Sequence, residues 1–174
     1  MIKSTIKLSI VLILVVTSSC INSNDNKVAI IENNFDNIYG WFEGQTVSDK
    51  FQHSGKYSYH LDNMKEYGMG FNAPVSQTIP KGSSSITIEA WVLTKEINTD
   101  VSIVFEIINS DNKSVIWNEC NSKATVKQAN KWTLISTTFT IAADIPREFI
   151  VKSYCWNKNK GDYYIDDIKI FAGN

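Results

Sequence analysis

The feature that most limits what this chain can fold into is a two-residue alternation of apolar and polar side chains, repeated in short blocks. Residues 56–62 (KYSYHLD) set Tyr57, Tyr59 and Leu61 against Ser58 and His60. Residues 85–94 (SITIEAWVLT) put Ile86, Ile88, Ala90 and Val92 on one side and Glu89 and Trp91 on the other. Val101, Ile103, Phe105 and Ile107 share a side in residues 101–108, and Phe149, Val151, Ser153 and Cys155 do so in residues 148–156. Residues 131–141 (KWTLISTTFTI) and 162–171 (DYYIDDIKIF) are rich in β-branched and aromatic residues. Successive side chains of a strand point to opposite faces, so each block predicts a half-buried strand. No long stretch repeats apolar residues at helical spacing, which excludes a helical bundle.

The breaks between blocks carry turn chemistry. Ser54–Gly55, Pro80-Lys81-Gly82-Ser83, residues 109–113 (NSDNK) and residues 157–161 (NKNKG) place Gly, Pro, Asn, Asp and Ser where tight turns need them. Strands at such short spacing predict an all-β fold, a two-sheet antiparallel β-sandwich. At 174 residues there is material for one core rather than two.

The N-terminus reads as an address. Lys3 and Lys7 precede an apolar run from Leu8 to Val16, and Thr17, Ser18 and Ser19 lead to Cys20. The run is shorter than the ~20 residues a spanning helix needs, which gives a secretory signal over residues 1–19. The small residues ending in Cys20 resemble a bacterial lipobox, with Thr17 where Leu is commoner. That resemblance implies lipidation of Cys20, a tether over residues 20–30 and a folded domain over residues 31–174. Ile21 stands where an inner-membrane retention signal would have Asp, so the implied location is the outer membrane, facing the periplasm or the surface. Cleavage would leave 15 basic against 18 acidic residues, a balance that argues against nucleic acid as a partner. Once Cys20 is lipidated, Cys120 and Cys155 remain. Export permits a bridge between them, and two buried free thiols fit the sequence as well.

Five segments resemble, in order, the galactose-binding-like jelly-roll carbohydrate-binding modules of the family 4/9 type. They are Asn33-Asn34-Phe35-Asp36 leading to Gly40-Trp41, then residues 53–58 (HSGKYS), 87–92 (TIEAWV), Lys131-Trp132-Thr133 and 164–168 (YIDDI). Asp36 stands where that family more often has Glu. The resemblance implies a jelly roll over residues 33–171, a non-catalytic glycan-binding role and a structural calcium. By position, Asp36 and Asp166 would supply the side-chain ligands, with carbonyls near Lys56 completing an oxygen set of the kind calcium takes. The alternative is that Asp36 caps a turn and Asp166 holds a loop amide. Asp167 is expected on the opposite strand face from Asp166.

The residues themselves offer little for catalysis. Glu89, Glu106 and Glu119 form no motif-marked pair, and His53 and His60 sit beside no nucleophile signature. Sugar binding needs aromatic rings out of phase with the core, flanked by polar groups. Trp156 and Tyr154 alternate against Val151 and Cys155, Glu106 against Phe105 and Ile107, and Trp117 shares a face with Glu119. Trp117 and Trp156 are therefore expected to stack on a glycan, with Tyr154, Glu106 and Glu119 as polar partners. Trp41 and Trp132 read as core, Trp91 fits either side, and Tyr67 falls in a Gly-bearing segment read as loop. The expectation is a monomer that binds an oligo- or polysaccharide and is tethered through lipid at Cys20. The alternative is a structural or adhesion sandwich that binds a partner protein on a face lacking an aromatic platform.

Overall fold

A computed structural model describes residues 28–42, 47–98 and 100–174. Cys20 and the signal and tether expected before Val28 lie outside the described residues. The described residues form eleven strands: β1 (Val28–Asn33), β2 (Trp41–Phe42), β3 (Val47–Ser48), β4 (Ser58–Leu61), β5 (Tyr67–Pro74), β6 (Ser85–Thr94), β7 (Val101–Ile108), β8 (Ser114–Asn121), β9 (Thr133–Thr140), β10 (Ile150–Asn157) and β11 (Tyr163–Gly173). One short helix, α1 (Val75–Thr78), follows β5. Among the described residues no helix is long and apolar enough to cross a membrane.

The strands form two antiparallel sheets. Sheet A has the order β3-β4-β11-β6-β9, with β1 also paired to β11, and sheet B has the order β2-β5-β10-β7-β8. The blocks read from the alternation become the centres of these sheets. Ile86, Ile88, Ala90 and Val92 of β6 and Val101, Ile103, Phe105 and Ile107 of β7 are fully buried between them. Each such side chain contributes about 1.5–3 kcal/mol relative to leaving it in water.

Two corrections concern the ends of strands. Strand β1 starts at Val28, inside the expected tether, and residues 28–33 pair with residues 168–172 of β11. Residues 67–74 (YGMGFNAP) are not a loop but β5, paired along β10. Its glycine hid it: a Cβ on Gly68 would lie 2.7 Å from the Tyr59 ring, and the Tyr59 hydroxyl accepts a hydrogen bond from Met69 N at 2.8 Å. The position is kept bare so that the buried tyrosine can brace the strand.

Cys120 and Cys155 are free and buried. Both lie opposite Ile103, one on each side of β7. Two strand spacings separate them by roughly 9–10 Å, beyond the ~7 Å Cα limit for a bridge. Burial pushes each thiol up to about 12, so neither is a ready nucleophile.

Candidate glycan-binding face

The outward side of sheet B carries all five residues expected to bind. Register lays them out in rows across the strands. Asn72, Lys152, Glu106 and Trp117 lie side by side, followed by Gly70, Tyr154, Val104 and Glu119. The next row joins Tyr67, Trp156 and Ser102. The alternation that buries Phe105, Val151 and Cys155 turns these residues away from the core.

The aromatic rings form one continuous cluster. Tyr67 lies nearly parallel to Trp156, with ring centres 6.1 Å apart, and meets Tyr154 edge-on at 6.0 Å. Trp117 meets Trp156 edge-on at 6.2 Å. Trp156 is therefore the hub of the cluster, half-buried by its neighbours. Trp117 and Tyr67, 42% and 53% exposed, are the most open rings of the cluster. They lie no more than about 12 Å apart, within reach of one short oligosaccharide. Tyr67 joins this cluster, and the sequence signal for it was the aromatic itself, obscured by the glycines that made its strand read as a loop. Partial burial, and after it the Glu66 carboxylate, raise the Tyr67 hydroxyl above its usual range, so it remains a hydrogen-bond donor.

Charged groups frame the rings. Lys158, just past β10, bonds Glu119 Oε1 at 2.7 Å and stands 4.5 Å over the Trp156 ring. Glu106 lies between Trp117 and Lys152 in register. Apolar rings with acids and amines beside them suit a ligand that has both C–H faces and hydroxyls.

The outward side of sheet A is also aromatic but is built differently. Where β11 changes its partner from β4 to β1, a bulge spans Asp166 to Lys169, with Asp167 at φ 47°. Asp167 therefore does not face away from Asp166, as a regular strand would require, and both carboxylates reach one loop. Asp166 Oδ2 accepts His53 N at 2.8 Å and Ser54 N at 3.1 Å, and its Oδ1 accepts Asp167 N at 2.8 Å. Asp167 accepts the Ser54 hydroxyl and pairs with His53 Nδ1, each at 2.7 Å. The His53 ring then stacks on Trp91 at 3.8 Å and meets Trp132 edge-on at 5.8 Å. Trp132 is thus only partly buried, against a loop side chain rather than in the core.

Asp36 holds the other end of the same loop: its Oδ1 accepts Lys56 N at 2.7 Å and Tyr57 N at 3.0 Å. Gly55 must be glycine here, at φ 59° with the Asp36 carboxylate where a Cβ would stand. Burial raises the Asp166 carboxyl above the usual range, opposed by its three N–H donors. Among the described residues no three His, Cys, Asp or Glu side chains gather as a metal site. A carboxylate has about four acceptor positions. Among the described residues these hydrogen bonds leave Asp36 Oδ2 and one position on Asp166 Oδ1 open to a cation, with main-chain carbonyls needed for the rest.

A family model described as a carbohydrate binding domain, of the 4/9 type, matches residues 27–153. No curated protein matched the chain. Among solved structures, the CBM22-1 xylan-binding domain from Paenibacillus barcinonensis Xyn10C is similar, with 13% identity, a TM-score of 0.56 and coverage of 85% of this chain and 96% of that one. The family 16 carbohydrate binding module-2 matches at 15% identity and a TM-score of 0.56, covering 82% and 99%. The Clostridium thermocellum Xyn10B CBM22-1–GH10 modules, complexed with xylohexaose, match at 14% identity and a TM-score of 0.55, covering 84% of this chain and 28% of that one. At these identities the structural matches establish the fold.

Proposed function

The chain belongs to the 4/9-type carbohydrate binding domain family, and from that premise we propose that it captures a glycan, without cleaving it, on the outward side of sheet B. The observation that carries the reading is the pair of exposed rings, Trp117 and Tyr67, joined through Trp156 and flanked by Glu106, Glu119 and Tyr154. Rings stack on the apolar faces of sugars, and the flanking acids accept hydroxyl protons. The structural or adhesion alternative calls for a face with no such platform. Titration with soluble xylan, mixed-linkage β-glucan and glucomannan, together with pull-down on insoluble polysaccharides, tests the reading. Retention on at least one class is expected, and no retention on any would overturn it.

Two further proposals come from the sequence. Cys20 carries lipid and tethers the domain to the outer membrane; Cys20→Ala should move the protein from the membrane fraction to the soluble one. A structural calcium engages Asp36 and Asp166, at the loop they already hold and apart from the binding face. The ion would supply charge neutralisation for two acids that converge on one loop.

A further inference from the structure

An inner strand of the binding face, β7, is already covered. Val104 and Ser102 point outward from β7 by the alternation, yet both are fully buried. Lys158 supplies part of the cover. It leaves the turn after β10, crosses β7 and reaches Glu119 on β8, its ammonium 2.7 Å from Oε1 and 2.5 Å from Oε2. On the way it passes 4.5 Å over the Trp156 ring. A stacked sugar would use that ring and that carboxylate for its C–H face and its hydroxyl. The Trp156 indole N–H, meanwhile, is buried with no acceptor among the described residues. Such a donor is unfavourable in the closed arrangement and finds a partner once an acceptor enters.

We propose that Lys158 is a latch that occupies the Trp156–Glu119 subsite and must swing out before a neutral glycan can stack there. The proposal rests on the glycan-binding reading of this face. Displacing the ammonium breaks a partly exposed ion pair and a cation–ring contact, both of which weaken as salt rises. A neutral sugar releases no counterions of its own. Glycan affinity should therefore increase with ionic strength, the reverse of an ordinary charged interface.

The test is isothermal titration of wild type, Lys158→Ala and Lys152→Ala with xylohexaose, cellohexaose and mannohexaose, each at low and high sodium chloride. Lys158→Ala should bind at least about threefold more tightly, the scale of the two contacts released, and should lose the salt response. Lys152→Ala, on the same face but away from the Trp156 ring, should keep it. Binding by Lys158→Ala where wild type shows none would also support the latch. Weaker or unchanged binding by Lys158→Ala, or wild-type affinity that falls with salt, would overturn the latch while leaving the binding face standing. No binding by either protein would overturn the binding face and the latch with it. The wild-type salt series needs no variant, so it decides even if Lys158→Ala folds poorly.

Discussion

The two sheets turn similar materials outward and spend them differently. Sheet A presents Trp91, Trp132 and His53, and sheet B presents Trp117, Trp156 and Tyr67, each set with acids close by. On sheet A the chain supplies its own partner: the His53 ring lies on Trp91, and Asp166 and Asp167 hold the loop that brings it there. On sheet B the outermost rings, Trp117 and Tyr67, touch Trp156 and stay largely open to water. An aromatic cluster is thus a poor sign of a binding face unless some ring is left uncovered. The difference lies in the loop of residues 49–57, which crosses one face and not the other.

The comparison breaks most sharply at Asp166. Asp166→Ala leaves three backbone N–H groups without their acceptor in a buried position and should destabilise the fold by about 3 kcal/mol. For a domain of this size that lowers Tm by roughly 6–12 °C. Glycan affinity at a temperature where the variant is folded should be unchanged, since the loop lies on the other face. Calorimetry and titration on the same sample check both halves. Calcium sharpens the same point. If an ion joins Asp36 and Asp166, calcium at a hundredfold excess over its Kd stabilises by about 2.7 kcal/mol. Chelation should then lower Tm in the wild type and do nothing in Asp166→Ala. Equal Tm in calcium and chelator would leave the loop to the hydrogen bonds alone.

Those two residues also mark where the sequence was readable. Period-two blocks located β6, β7 and β10 almost to the residue, because each packs one clean apolar face. The outward positions of Trp117 and Glu106 followed from the same phase. The segments that escaped do not owe their shape to side-chain alternation. The two-residue strands β2 and β3 are too short to show a period, and β5 is interrupted by a glycine that Tyr59 requires. Asp167 was misplaced because strand phase holds only until a bulge breaks it. What covers a ring is a tertiary fact, so the sequence left Trp91 open to either side, and only the fold shows the His53 ring lying on it.

That pair gives the next contrast. Trp117→Ala should weaken glycan binding by about 2 kcal/mol, roughly 30-fold, the usual mark of a central aromatic contact. Its Tm should change little, because the ring is 42% exposed. Trp91→Ala should do the reverse: its ring packs the loop, so Tm falls and affinity holds. If Trp91→Ala abolished binding and Trp117→Ala did not, the faces would have to be exchanged.

The smallest effect concerns two glutamates in matching surroundings. Glu106 on β7 lies between Trp117 and Lys152, and Glu89 on β6 lies between Ser136 and Lys169. Each is an outward acid beside a lysine on an inner strand of its sheet, so charge alone does not tell them apart. Only Glu106 has an uncovered ring next to it. Glu106→Gln keeps the shape and removes the charge, so a sugar hydroxyl loses a charged acceptor for a neutral one. A single such bond is worth about 1 kcal/mol, which predicts a roughly fivefold loss of affinity. Glu89→Gln should leave affinity unchanged, and neither variant should shift Tm appreciably, since both side chains stand partly exposed on the outward side of a sheet, away from the core. Equal losses from the two variants would mean that the glycan senses the overall field of the domain rather than one face. A loss confined to Glu106 would assign the hydroxyl contact to the row that holds Trp117.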